Sequence, residues 1–145
     1  MQLTAIDQLS VSLMVHSSRF ARSLSRRAGS VRSLVAMRVL SNLEQVGDLR
    51  IGELAEREFI AQPAMTATVN RLEGDGLVER LRDEGDARAS LVHLTRAGAE
   101  LIAAFRLRAA DVARPAMEEL SAEEIRTLDS AVPLLARLVA ALESA

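Results

Sequence analysis

The sequence predicts a mostly α-helical fold that is interrupted once by a short β-hairpin. Its 145 residues are rich in Ala, Leu, Arg and Glu, which favour helices, and three Phe are its only aromatic residues. Between Phe59 and Gly98, two β-prone segments flank a charged tip that contains glycine, with helix-forming runs on either side. The length fits one domain, large enough to bury roughly two-thirds of the surface that the unfolded chain exposes.

Several classes of protein are disfavoured by what the sequence lacks. Without cysteine, the chain has no disulfides, thiol redox chemistry or cysteine zinc sites. No apolar run approaches the ~20 residues that span a bilayer. No nucleophile–base pair, P-loop or dinucleotide fingerprint is visible, and His16 and His93 lack metal-ligand spacing. We therefore expect a soluble, cytoplasmic protein that is not an enzyme, with no cofactor, no metal and no membrane contact.

Two helices are predicted before the middle of the chain. Apolar residues spaced near 3.5 predict a first helix over residues 3–26, and Gly29 is its expected stop. A second helix over about 31–46 would have Ser30 as its N-cap and would end at Gly47. Its predicted buried side chains are Leu34, Met37, Leu40 and Leu43.

The middle of the chain has the order helix, turn, helix, hairpin, helix. A short helix over 52–59 and a turn at 59–61 precede a helix from Gln62 to about Asp75, whose buried face carries Met65, Val69 and Leu72. Strands are expected at 77–82 and 89–94, and 48–51 has room for one β-bridge. This order is that of a winged helix-turn-helix, which presents one helix to a DNA major groove and a hairpin tip to the adjacent minor groove.

Two long helices are predicted to end the chain. Thr95 would cap a helix reaching about Leu120, which Pro115 should bend or break, and Ser121 begins a capping box for the last helix. Apolar residues in that last helix form a heptad seam, beside which Pro133 should distort the backbone. Mutual packing across a two-fold dimer is the simplest way to cover the terminal seams. The predicted dimer contacts are Leu3, Ile6, Leu13, Ile125, Leu128, Val132, Leu135, Val139 and Leu142.

The chain resembles the MarR family of bacterial transcription regulators over essentially its whole length. The most diagnostic segment is LEGDGLVER at 72–80, followed by Asp86-x-Arg88 at the wing tip and Leu94-Thr95-x-x-Gly98 at the start of the next helix. The resemblance implies one MarR-type domain over 1–145, with a helical dimerisation region (1–28 and 96–145) and a winged DNA-binding region (30–95). It also implies a homodimer that binds a pseudo-palindromic operator, usually as a repressor, and that small ligands often release.

Two positions depart from the family pattern. Ala67 stands where the family often has an arginine that contacts DNA, and Asp86-Ala87-Arg88 stands where many members have two consecutive arginines. Residues 50–100 also carry seven Arg against ten acidic residues. These features favour the alternative of a helical, dimeric partner-binding scaffold that has lost DNA binding.

Candidate DNA contacts lie on the predicted recognition helix, on the wing and at the start of the second helix. They are Gln62, Pro63, Ala64, Thr66, Asn70, Arg71, Arg88, Ser30 and Arg32. Each has an alternative: Arg88 could pair with Asp86 or Asp83, Arg71 could brace Glu73 or Glu79, and Ser30 could be a simple N-cap. One of Arg80 and Arg82 should support the wing through an acidic partner. A small effector could lodge near His16, Arg19 and Met37, between the first, second and fifth helices.

Overall fold

The computed structural model describes residues 3–29 and 32–144. In chain order, the elements are α1 (Ala5–Arg27), α2 (Leu34–Val46), β1 (Leu49–Arg50), α3 (Ile51–Glu58), α4 (Gln62–Gly74), β2 (Val78–Arg82), β3 (Ser90–Leu94), α5 (Arg96–Glu118) and α6 (Ala122–Glu143). The predicted order of helices and strands is confirmed. Two compact units divide the chain, Met1–Ala109 and Ala110–Ala145.

The sheet has three antiparallel strands in the order β1-β3-β2. Val92 of β3 lies opposite Leu49 on one side and Arg80 on the other, and it is fully buried. The expected bridge near residue 50 is thus a two-residue strand, and both hairpin strands lie within one residue of their predicted starts.

One aliphatic core lies beneath this sheet, in the first unit. Side chains of α2, α3, α4, all three strands and the first part of α5 build it, together with Leu77 between α4 and β2. Its fully buried members include Val39, Leu40, Leu54, Met65, Val69, Leu72, Val78, Val92 and Ile102. The predicted buried face of α4 (Met65, Val69 and Leu72) is confirmed.

Gly98 allows α5 to pack directly on the strand side of this core. A Cβ at this position would lie 2.2 Å from the Leu77 carbonyl oxygen and 2.6 Å from Leu94 Cδ1. The same junction is held by Thr95, whose hydroxyl donates to the Gly76 carbonyl (2.7 Å) and accepts from the Gly98 N–H (3.2 Å). The prediction that Thr95 caps α5 is confirmed. Position 98 requires glycine because there is no space for a side chain.

The predicted start of the second helix is wrong by three residues. Helix α2 begins at Leu34, because Ser33 is extended and its hydroxyl accepts the Ala36 N–H at 3.1 Å. Two serines three residues apart could each serve as N-cap, and the sequence does not separate them. The later start leaves Leu34 43% exposed rather than buried.

Pro115 does not break α5, which continues to Glu118. A proline removes one backbone donor, and so close to the end of a helix few bonds depend on it. The first helix begins at Ala5 because Thr4 caps it in a box with Asp7. The capping box at Ser121 is confirmed as the start of α6.

Candidate nucleic-acid interface

The exposed face of α4 is defined by the burial of its other face. Phe59 adopts a left-handed conformation (φ 53°) that ends α3, and the extended Ala61 precedes the first turn of α4, which contains Pro63. Because Met65, Val69 and Leu72 are buried, the opposite side faces outward. Exposed on it are Gln62, Pro63, Ala64, Asn70 and Arg71, and Thr66 is half-buried with its hydroxyl bonded to the Gln62 carbonyl (3.0 Å).

Arg80 connects this face to the base of the wing. Its guanidinium forms an ion pair with Glu73 and donates to Asn70 Oδ1 at 2.6 Å. Of the two arginines considered at the hairpin base, Arg80 therefore has the acidic partner. Among the described side chains Arg71 has no ion pair, and Glu73, one of its two suggested partners, pairs with Arg80.

The wing tip is organised by two aspartates. Asp83 Oδ1 accepts the Gly85 N–H at 2.9 Å, and Asp86 Oδ1 accepts the Arg88 N–H at 3.0 Å. Asp83 Oδ2 also accepts from Arg50 Nε of β1 at 2.7 Å. The Gly85 N–H first, and then the Arg50 guanidinium, lower the pKa of Asp83, and Asp83 in turn raises the pKa of Arg50.

These contacts leave the Arg88 side chain exposed at the tip. Within residues 3–29 and 32–144, Arg88 forms no ion pair with either aspartate that the sequence offered as a partner. The wing tip, residues 83–89, therefore presents one guanidinium on a backbone that Asp83 and Asp86 hold. Arg50, 33 residues before Asp83 in the chain, was not singled out in the sequence, because only the folded sheet brings the two together.

The remaining predicted contacts lie near the start of α2. Arg32 pairs with Asp75 at the end of α4, with 2.7 Å between Nη1 and Oδ2. Ser30 lies outside the described residues. Arg32 thus adjoins both the start of α2 and the end of the outward-facing helix.

The three predicted effector residues differ in their exposure. Met37 is buried in the core, whereas His16 and Arg19 are exposed on α1. Arg19 lines an open cleft of about 760 Å³ between α1 and the start of α2, and neither His16 nor Met37 belongs to its lining.

The predicted dimer residues remain largely uncovered in the single chain. Leu13, Ile125 and Leu135 are half-buried, and the exposed members are Leu3, Ile6, Leu128, Val132, Val139 and Leu142. Further exposed apolar side chains were not predicted, among them Leu9, Met14, Leu134 and Leu138. They extend the apolar surface of α1 and α6 beyond a narrow seam.

Neither a metal cluster nor a membrane span occurs in the part of the chain that the structure describes. No three His, Cys, Asp or Glu side chains there are grouped to hold an ion, and His93 pairs with Asp48 (Nδ1 to Oδ1, 2.7 Å). No helix among those residues is long and apolar enough to cross a bilayer.

A helix-turn-helix followed by a β-hairpin wing defines the class of winged helix-turn-helix regulators. The model of the MarR family matches residues 33–90. An uncharacterized HTH-type transcriptional regulator from Mycobacterium leprae is 35% identical over 113 residues, which is 77% of this chain and 73% of the relative. The homoprotocatechuate degradative operon repressor of Escherichia coli is 29% identical over 91 residues, 63% of this chain and 62% of that protein.

Solved structures agree with this fold. A MarR family protein from Bacillus stearothermophilus aligns with a TM-score of 0.74 at 25% identity, covering 97% of this chain and 99% of that one. Wild-type MarR from E. coli aligns with a TM-score of 0.71 at 23% identity, covering 92% and 98%. The chain spans only 62% of the length of an HTH-type regulator from Bacillus subtilis, to which it is 29% identical.

The chain belongs to the MarR family. It has the winged-helix fold, and its family and the relatives reported above are transcriptional regulators.

Proposed function

We propose that this regulator is a homodimer that represses transcription by binding a pseudo-palindromic operator. Two copies of α4 would enter successive major grooves about 34 Å apart, and the wings would reach the flanking minor grooves. The name of the E. coli relative, an operon repressor, supports repression. Exposed apolar side chains on α1 and α6 support dimerisation.

The main support for this proposal is the arginine at the wing tip. Arg88 is exposed, has no ion pair within the described residues, and follows a tip whose backbone Asp83 and Asp86 hold in place. A narrow minor groove has the most negative potential on DNA and attracts an inserted arginine. Gln62, Thr66, Asn70 and Arg71, with Pro63 and Ala64 between them, would face the major groove, and Arg32 and Ser30 would lie near the phosphates.

Arg88→Ala tests this function. Its affinity is compared with that of the parent protein for an operator that has been selected from random DNA duplexes. We expect affinity to fall at least about tenfold, because a charged contact in a desolvated groove is lost. Arg96→Ala is the matched control, since it removes an exposed guanidinium of α5 that pairs only locally with Glu100. Fluorescence anisotropy at fixed salt measures both variants. Equal affinity of Arg88→Ala and the parent protein would contradict the role of the wing.

The alternative function is a dimeric scaffold that binds a protein partner and not DNA. The acidic balance of residues 50–100 and Ala67 in place of a family arginine favour it. Salt dependence separates the two, because a DNA binder loses affinity steeply as salt rises and a scaffold forms no such complex.

The proposal also includes a response to a small ligand. His16 and Arg19 are accessible on α1, so a small effector could reach them, whereas Met37 could contribute only if α2 moved. Release of the operator by a ligand from a screen of small aromatic acids, and its loss in His16→Ala, would support this assignment.

A further inference from the structure

We propose that the cleft between α1 and the start of α2 binds a phosphate group. This arginine cleft has a volume of about 760 Å³, and its lining includes Arg19, Arg22, Ser23, Arg26, Arg32 and Ser33. Binding of free phosphate here does not depend on operator binding by α4 and the wing, whereas binding of DNA phosphates rests on the proposed function.

The spacing of the residues along α1 explains why they share one cleft. Arg19, Arg22, Ser23 and Arg26 stand at positions i, i+3, i+4 and i+7, which lie on one face of a helix. At 1.5 Å per residue, the outer two arginines are about 10 Å apart along the axis. Three cations therefore follow one another along one wall of the cleft.

The charges of this wall are not balanced inside the cleft. No carboxylate lines it, and Arg19, Arg22 and Arg26 form no ion pair within residues 3–29 and 32–144. Like charges three and four residues apart destabilise a helix. A favourable interaction with the negative end of the helix dipole accounts for Arg26 in the last turn, but not for Arg19 and Arg22 in earlier turns.

The opposite wall adds one more guanidinium and the start of a helix. Arg32 is braced there by Asp75, and the Ser33 hydroxyl accepts the Ala36 N–H. The N–H groups at the first positions of α2, which begins at Leu34, have no partner within the helix. They add positive potential at the same mouth.

The lining indicates the class of ligand. Guanidinium groups suit the oxygens of phosphate, and the three on α1, which form no ion pair within the described residues, match a group with more than one negative charge. No aromatic side chain lines the cleft, and Leu34 is its main apolar member, so a neutral aromatic ring has little to pack against. The phosphate could belong to the DNA backbone or to a small phosphorylated molecule.

The first experiment measures inorganic pyrophosphate binding to the full chain by calorimetry, without DNA. The double variant Arg22→Gln with Arg26→Gln should bind at least about tenfold more weakly, since two charge-assisted contacts are lost. The control, Arg96→Gln with Arg114→Gln, removes two exposed arginines that pair locally with Glu100 and Asp111, and should bind as the parent does.

The second experiment separates the two sources of phosphate. If the cleft holds DNA phosphates, the double variant lowers the slope of log affinity against log salt by about 0.9 for each phosphate lost. If the ligand is free, pyrophosphate binding falls and the slope stays unchanged. The proposal is overturned if neither quantity changes, or if the variant instead dissociates the dimer in sedimentation, because the arginines would then contact a second copy. Pyrophosphate binding is measured without operator, so its outcome is distinct from that of Arg88→Ala.

Discussion

The winged core and the last helix place their apolar residues in opposite environments. In the core, Leu40, Leu54 and Met65 are completely buried within one chain. Along α6 no residue is buried, and Val132 and Leu142 are 62% and 79% exposed. The apolar side chains of the core are thus covered within one chain. Most apolar side chains of α6 stay exposed, and an exposed apolar surface marks an interaction site. Because of this difference, folding of the winged core and assembly of the protein can be disrupted separately.

Val132→Asp should produce the largest effect, by disrupting assembly without unfolding the winged core. In a two-fold dimer the change would bury two unpaired carboxylates, each of which costs several kcal/mol, so the dimer dissociation constant should rise at least about 100-fold. Operator affinity should fall with it. Sedimentation velocity measures assembly, and far-UV circular dichroism shows whether the helices persist.

Ala140→Asp is the matched control for this variant. It adds the same charge to an exposed position of α6, on the helix face that carries Asp129 and Arg137. It should remain dimeric. Dissociation by both variants, or by neither, would contradict the assignment of the seam that contains Val132.

Gly98→Ala should destabilise the winged core without affecting the apolar seam of α6. Alanine normally stabilises a helix interior relative to glycine by up to about 1 kcal/mol. At Gly98, however, the new Cβ would lie 2.2 Å from a backbone oxygen that cannot move aside cheaply. We expect a loss of about 1–3 kcal/mol in the free energy of unfolding, as for other overpacked sites.

Gly74→Ala gives the opposite sign. Gly74 ends α4, and a Cβ there would meet nothing within 4 Å. This variant should be neutral or more stable than the parent by up to about 1 kcal/mol. Urea unfolding of both proteins checks the pair, and a stabilised Gly98→Ala would show that α5 does not pack against Leu77 as the structure has it.

These sites show what the sequence could and could not predict. The strands were placed within one residue because apolar and polar side chains alternate in them, and the buried face of α4 followed from its helical spacing. The start of α2 was missed because Ser30 and Ser33 are chemically identical caps. The spacing of the arginines on α1 is visible in the sequence. The opposite wall of the cleft depends on the residue at which α2 begins, and only the structure shows that residue.

Contacts between distant segments were the least predictable. Arg50 and Asp83 are 33 residues apart, and no local pattern joins them. Arg80 was one of two candidates at the hairpin base, and only the register of β2 beside α4 places it next to Glu73 and Asn70. The candidate DNA-binding residues could thus be named from the sequence, whereas the side chains that hold them could not.

Asp83→Asn should give the smallest effect and probes the wing alone. The amide can still accept the Gly85 N–H, but it loses the charge that attracts Arg50. Because exposed ion pairs contribute little, we expect operator affinity to fall only about two- to fivefold. Glu84→Gln, an equal change of charge at the neighbouring position, should leave affinity as it was.

The pH dependence of the wing follows from the same carboxylate. The Gly85 N–H and the Arg50 guanidinium hold the pKa of Asp83 below its usual value, so the folded wing favours the ionised form. This contribution to wing order is complete above the unfolded pKa of about 3.9 and is lost as pH falls through the lower folded value. In an NMR titration the Gly85 amide should therefore shift with a midpoint below about 3.9. A midpoint at or above that value would mean that Asp83 does not anchor the wing, and Arg88 would then lack the fixed backbone on which its proposed role depends.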